Sequence, residues 1–275
     1  MDLEALSSIE SFTGTVLIIT AAVCLAAVFV AWYTVRTRIR WSQVILGIFS
    51  YLLVMILENV IGSVCSSMNI QETGMSYAIY LILSVVISRE IIRFAVIQFG
   101  LCPRFSDTDS AVGLGIGMAG FYLLICCAYY FNCYSAVEAY LSDPTEFFLS
   151  SGSDSQEAYN LLLAIAGQDS WEFIFTALNR VFYLVREISL CVLAWYGLTS
   201  GKMRRCLFLV PILHLICVIP DSLYAADLFD NSYISNILTC LLSAGTAAIA
   251  AFTYNRTEDQ AAHYEFEKLK ARRRR

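Results

Sequence analysis

Seven long apolar stretches divide the chain, and this pattern restricts its fold more than any other feature. Each stretch is roughly 20 residues or longer, the length that an α-helix needs to cross the hydrocarbon core of a bilayer. Because lipid offers no hydrogen bonds to the backbone, such stretches cross as helices. The predicted spans are Thr13–Val35, Ser42–Cys65, Met75–Gly100, Ala111–Phe131, Ser170–Thr199, Cys206–Ala225 and Ser232–Tyr254. The sequence therefore predicts an all-α, polytopic membrane helical bundle of about seven transmembrane helices.

The composition leads to the same conclusion. Apolar residues make up 58% of the chain and charged residues only 15%. A water-soluble domain of this length cannot bury so large an apolar fraction, because its surface needs more polar side chains than this chain has. We therefore expect an integral membrane protein whose first partner is the lipid bilayer.

The distribution of basic residues predicts the orientation. The acidic N-terminus has no Lys or Arg, and the basic residues follow the odd-numbered spans. They are Arg36, Arg38 and Arg40, then Arg104, then Lys202, Arg204 and Arg205, and finally Arg256, Lys268, Lys270 and Arg272–Arg275. Since Lys and Arg concentrate in cytoplasmic loops, the N-terminus is predicted outside and the C-terminus in the cytoplasm.

The chain is predicted to form one transmembrane bundle over residues 1–254, followed by a basic cytoplasmic tail over 255–275. An external segment, Asn132 to Asp169, separates the fourth and fifth spans. It contains the short apolar stretch Tyr159–Ala166, which is too short to span and predicts a surface helix or a lid on a substrate entrance. The tail is predicted to bind anionic lipid, and no motif indicates nucleic acid.

Charged residues near the middle of the spans are the candidates for function. The third span contains Glu90, and Arg93 shares its helix face at i+3. With a rise of about 1.5 Å per residue, Glu187 in the fifth span and His214 in the sixth lie at about the depth of Glu90. An ionisable residue costs about 2.5–3.5 kcal/mol or more at this depth, so these side chains are expected to face the bundle interior.

Two interpretations of this set follow from its chemistry. Two carboxylates and an imidazole on three helices can ligate a divalent, zinc-like metal, or hold a water beside a general base. Alternatively, a buried Glu–Arg pair only neutralises itself and sets the register of the helices.

Two further features predict helix packing. Gly113 and Gly117 open the fourth span in a small-xxx-small pattern, which allows neighbouring backbones to approach closely. Other polar residues within the spans are expected in the same interior. They are Glu58, Asn59, Asn179, Arg180 and Asn236. Asp221 aligns with His214 on one face of the sixth span, about two turns closer to the outer surface.

The ordered set of motifs resembles the intramembrane peptidases of the YhfC type, and more distantly the PrsW and CAAX-processing proteases. The matching stretches cover about half of the chain. They are Ser88 to Arg93 (SREIIR), Gly113 to Gly120 (GLGIGMAG), Arg186 to Lys202 (REISLCVLAWYGLTSGK) and Pro211 to Asp221 (PILHLICVIPD). The resemblance implies a peptidase of membrane-embedded substrates in a bacterial cytoplasmic membrane. It also implies Glu90 as catalytic or ligating carboxylate, Arg93 as its partner and His214 as ligand or base.

The chain departs from the family pattern at two positions. Ile116 and the apolar Gly120–Phe121 stand where the glycine-rich helix of the family has His and Glu, and Glu187 stands where the fifth span has His. The second exchange keeps a metal ligand, which leaves a Glu90/Glu187/His214 site. The first removes one, which is expected to weaken metal affinity by about 10–100-fold or more.

Three classes of function therefore remain. The first is an intramembrane peptidase that uses the Glu/Glu/His site. The second is an inactive relative that acts as a membrane binding, immunity or sensor protein. The third is a small transporter that uses the charges as a relay, although the chain has no visible inverted repeat.

Overall fold

A computed structural model of the protein describes residues 6, 9–67, 73–101, 108–151, 155–200 and 203–273, without the side chains of 150–151, 203–204 and 256–273. Within these ranges the chain forms nine α-helices and no strand, which confirms the predicted all-α bundle. The helices are α1 Ser11–Val35, α2 Trp41–Ser67, α3 Gly74–Ala95, α4 Asp109–Ser142, α5 Pro144–Ser151, α6 Ser155–Ala166, α7 Ser170–Thr199, α8 Met203–Ala225 and α9 Ser232–Arg273. A π-helical turn, Val96–Leu101, extends α3.

Six of the described helices are long and apolar enough to cross a membrane: α1, α2, α4, α7, α8 and the Ser232–Asn255 part of α9. The protein is therefore an integral membrane protein. The remaining predicted span corresponds to α3, which is not among the six and which contains Arg89, Glu90 and Arg93 in its C-terminal half. It packs against α2 and α8, and its three charged side chains are buried inside the bundle.

The two most enclosed spanning helices, α4 and α7, form the middle of the bundle. They pack against each other; α4 also contacts α1 and α2, while α7 also contacts α1, α8 and α9. One apolar core joins α1, α4, α6 and α7 around Leu123, and a second joins α2, α4, α7 and α8 around Leu190. Large apolar side chains such as Phe29 and Phe252 point outward, as expected of a surface that faces lipid.

The glycine-rich start of α4 packs directly against α2, which confirms the predicted close approach. A Cβ on Gly117 would lie 2.1 Å from the Val44 carbonyl oxygen and 2.8 Å from the Cα of Gly47. A Cβ on Gly113 would lie 2.9 Å from the Cβ of Gln43. Since backbone atoms of α2 occupy the space of a side chain, only glycine fits at position 117 without a shift of one helix.

The predicted loop from Asn132 to Asp169 is largely helical, so its predicted start was wrong. Helix α4 continues to Ser142, because Cys133 and Val137 are buried in the core around Leu123 and no Gly or Pro interrupts the stretch. It ends before Pro144, consistent with the restriction that proline places on the preceding residue. The predicted short helix is present as α6, and it buries Leu162 and Ile165.

We expect Gly117→Ala to lower the free energy of unfolding by about 1–3 kcal/mol, because the added methyl group forces α2 and α4 apart. Gly245→Ala is the matched control, since no atom lies within 4 Å of its Cβ position in the middle of α9. It should raise stability by up to about 1 kcal/mol through helix propensity. Thermal unfolding of the detergent-purified variants measures both; equal effects would contradict the close packing.

Candidate functional site

Four predicted site residues, Glu90, Arg93, Glu187 and His214, meet where α3, α7 and α8 come together. Their exposed fractions are 5%, 0%, 1% and 0%, respectively. We refer to these four residues as the charged centre. Their contacts confirm that the three helices bring these residues to a common depth.

Arg93 connects the two carboxylates of the charged centre. Its Nη1 donates to Glu90 Oε1 on its own helix, one turn earlier, and its Nη2 donates to Glu187 Oε2 on α7. The i,i+3 pair was predicted from the sequence, but the bond to Glu187 was not. One guanidinium is therefore shared by two carboxylates and ties α3 to α7.

His214 approaches the same carboxylate from α8. Its Nδ1 lies 2.6 Å from Glu90 Oε1. Because a carboxylate oxygen accepts, Nδ1 has the proton in this contact, and in the neutral imidazole Nε2 is left with a lone pair. The bond to Glu90 thus sets the tautomer of His214 and turns Nε2 into an acceptor or a metal ligand.

Three acceptor atoms of the charged centre are buried and have no hydrogen-bond partner among the described residues. They are Glu90 Oε2, Glu187 Oε1 and His214 Nε2. The last two lie 3.8 Å apart, too far for a direct hydrogen bond but close enough for one shared ligand. Since buried polar groups are normally satisfied, these atoms mark the place where the centre would hold a further group.

Carboxylate oxygen and imidazole nitrogen are ordinary ligands of zinc-like ions, so these atoms fit a divalent metal by chemical type. Within the described part of the chain, however, no three His, Cys, Asp or Glu side chains form a group that could hold a metal ion. Arg93 binds one oxygen of each carboxylate, so each carboxylate has only its other oxygen left as a ligand.

Arg89 lies beside the charged centre and connects it to two further side chains, Tyr183 and Glu58. Its Nη1 donates to the Tyr183 hydroxyl at 2.9 Å and lies 3.7 Å from Glu187 Oε1, while its Nε donates to Glu58 Oε1 at 3.3 Å. Tyr183 and Glu58 have no site role in the sequence prediction. The only sequence signal was their presence in apolar spans.

Asp221 forms a separate polar cluster. It shares a helix face with His214, as predicted, but its partners are Asn179 at 3.3 Å, Ser235 at 3.1 Å and Thr239 at 2.9 Å. Asn236 joins this cluster through a 2.8 Å bond from the Asn179 side-chain amide. The prediction that Asn59 belongs to the interior was wrong, because its position on α2 is exposed.

The glycine-rich motif contributes packing at Ile116, where the chain departs from the expected pattern. Ile116 is 3% exposed and lies in an apolar cluster with Ile39 and Val44. The neighbouring Gly115 approaches α7, where an added Cβ would lie 2.6 Å from the Cα of Ile188. Helix α4 is therefore fitted between α2 and α7 by small and apolar residues.

The fold and the charged centre define a class: a polytopic membrane protein with a buried acid–arginine–histidine site between its helices. The model of the YhfC intramembrane metalloprotease family matches residues 21–239, and the chain belongs to this family. The match covers α3, α7 and α8, which contain the whole charged centre. No curated protein and no solved structure match the chain. Membership in the family indicates an intramembrane peptidase and suggests a divalent metal.

We expect Arg93→Met to lower the free energy of unfolding by about 3–5 kcal/mol, because it leaves Glu90 and Glu187 as unpaired carboxylates in the interior. Adding Glu187→Gln in the same chain removes one of these charges and should recover part of the loss. Thermal unfolding of the single and double variants tests this. A single variant as stable as the wild type would exclude Arg93 as the link between α3 and α7.

Proposed function

We propose that the protein is an intramembrane peptidase that hydrolyses a peptide bond of a membrane-embedded protein or peptide at the charged centre. The observation that carries this proposal is the set of three buried acceptor atoms without partners, on Glu90, Glu187 and His214. An ion-pair network that served only to hold helices together would be expected to satisfy them.

In the proposed reaction, Glu90 is the general base. Its Oε2 accepts a proton from a water while the water oxygen forms a bond to the carbonyl carbon of the substrate. The carbon–nitrogen bond then breaks, and the same proton passes from Glu90 to the leaving nitrogen. The products are a carboxylic acid and an amine, and Glu90 returns to its starting state.

The other residues hold this base and its water in place. His214 donates from Nδ1 to Glu90 Oε1, so the opposite oxygen, Oε2, is the one left for the water. The water that gives one hydrogen to Glu90 Oε2 has a second, which either Nε2 of His214 or Oε1 of Glu187 can accept. Arg93 orients both carboxylates and compensates their charge, which would otherwise be too costly in the bundle interior.

A divalent, zinc-like metal fits the same donor atoms. Glu187 Oε1 and His214 Nε2 would hold it, with Glu90 Oε2 as the base beside it. When bound, such an ion activates water and polarises a carbonyl as a Lewis acid.

An inactive relative that acts as a membrane binding, immunity or sensor protein is the second candidate. One observation favours it: at Ile116, where the family pattern has a polar residue, the chain packs an apolar side chain against Ile39 and Val44. In that case the ion pairs of Arg93 would serve only to hold the helices.

We expect Glu90→Gln to reduce peptidase activity by about 10²–10⁴-fold while the protein still folds, because the amide keeps the shape but cannot take a proton. Glu138→Gln, an exposed position on α4, is the matched control and should retain activity. Release of fluorescence from quenched transmembrane reporter peptides in liposomes measures both. An unchanged rate in Glu90→Gln would remove this residue from the mechanism.

Metal content provides a test that does not depend on a substrate. Mass spectrometry of the detergent-purified protein should find about one divalent ion per chain, lost in His214→Ala, because a ligand nitrogen is removed. His263→Ala, at the only other histidine of the sequence, should retain it. Wild-type protein that is free of metal after purification without chelators would leave only the metal-independent form of the mechanism.

A further inference from the structure

A polar cavity of about 180 Å³ lies next to the charged centre, among α3, α4, α7 and α8. On α7 it begins at Asn179, about two turns before Glu187, and reaches Arg186. Its polar lining consists of Arg89, Tyr122, Asn179, Arg180, Tyr183, Arg186, Asp221 and Ser222. We refer to it as the arginine cavity.

Two guanidinium groups of the arginine cavity have no hydrogen bond to any carboxylate of the described residues. Arg180 donates to the Tyr122 hydroxyl at 2.5 Å, and its Nε is buried without a partner. Arg186 is only 5% exposed, lies over the ring of Tyr183 at 5.0 Å, and also has an unsatisfied Nε. Its nearest carboxylate oxygen, Glu187 Oε1, is 3.8 Å away.

The one carboxylate that lines the cavity does not neutralise these cations. Asp221 accepts hydrogen bonds from Asn179, Ser235 and Thr239, all of them neutral donors. Within the described residues it forms no ion pair with Arg180 or Arg186. The hydrogen bonds of Asp221 thus come from neutral donors, and Arg180 and Arg186 each keep a buried Nε–H that has no partner among the described residues and can donate to a second anion.

We propose that the arginine cavity is a substrate subsite that binds the carboxylate of an acidic side chain, Asp or Glu, in the membrane-embedded substrate. This inference rests on the proposed peptidase function and names the class of substrate for it. A guanidinium suits a carboxylate because its N–H donors match the two carboxylate oxygens. The cavity of about 180 Å³ has several times the roughly 30 Å³ that one water occupies in the liquid. It therefore has room for the carboxylate end of one Asp or Glu side chain.

The subsite and the charged centre share a wall. Tyr183 and Arg89 line the cavity, Arg89 lies 3.7 Å from Glu187 Oε1, and Arg186 lies 3.8 Å from the same oxygen. An acidic side chain bound there would therefore hold the adjoining substrate backbone beside the three unpaired acceptor atoms. Binding energy from a substrate residue outside the scissile bond would then position that bond at the charged centre.

Two substitutions in the cavity should act in opposite directions. Arg180→Gln removes a cation, so it should weaken binding of a carboxylate. Asp221→Asn keeps the shape and one oxygen to accept from Ser235 and Thr239, loses the acceptor for the Asn179 amide, and removes the repelling charge, so it should strengthen such binding. If Arg180 and Asp221 served only to stabilise the fold, both substitutions would weaken binding.

The experiment measures the binding of two fluorescent peptides by anisotropy in detergent, with Glu90→Gln as the background so that neither is cleaved. Both are apolar, about 20 residues long, and amidated at the C-terminus; one has a single Glu and the other has Gln at the same position. We expect the Glu peptide to bind about tenfold more tightly or better, at a pH at which Glu is ionised. This ratio should fall toward one in Arg180→Gln and rise in Asp221→Asn.

Equal affinities for the two peptides, or a ratio that moves the same way in both cavity variants, would overturn the subsite. The proposed peptidase function is tested by a different measurement, the cleavage of reporter peptides by the chain with Glu90 intact. Cleavage without a preference for Glu would refute the subsite alone. A preference for Glu without any cleavage would refute the peptidase and leave the carboxylate-binding cavity of a binding protein.

Discussion

The ion pairs of Arg93 are the interaction on which the rest of the structure depends. Arg93 is fully buried, and it donates to one oxygen of Glu90 on α3 and one of Glu187 on α7. In a bilayer there is no hydrophobic gain from pressing one apolar helix against another, so helix pairs are selected by close packing and by polar contacts of this kind. The position of α3 follows from these contacts with α7 and from the bond of His214 to Glu90.

The same ion pairs leave acceptor atoms of the charged centre without a partner among the described residues. Each carboxylate uses one oxygen for Arg93 and keeps the other without a partner, and His214 uses one ring nitrogen in the same way. The charge of the centre is thus largely compensated while its acceptor capacity is not. The proposed hydrolysis within a membrane needs this combination: a charge balance that a low-dielectric interior tolerates, and atoms that can hold a water or a metal.

The arginine cavity follows from a local imbalance in the same interior. The charged centre, the arginine cavity and their ion-pair partners include four arginines, at 89, 93, 180 and 186, and four carboxylates, at 58, 90, 187 and 221. The two sets are not paired one to one, because Arg93 takes two carboxylates and Asp221 takes only neutral donors. Arg180 is therefore left with tyrosine, and Arg186 with a distant carboxylate and an aromatic ring.

The sequence by itself determined the membrane bundle, the approximate spans, the glycine contact of α4 and the identity of the four residues of the charged centre. It did so because length, apolarity and the helical rise are local properties, and because charged residues in a lipid-spanning helix must face inward. Only the tertiary structure decided that Arg93 bridges two helices, that Asn59 faces outward, and that Arg180 and Asp221 line one cavity unpaired. Those outcomes depend on the rotation and crossing of each helix, which packing against its neighbours determines and which no single span encodes.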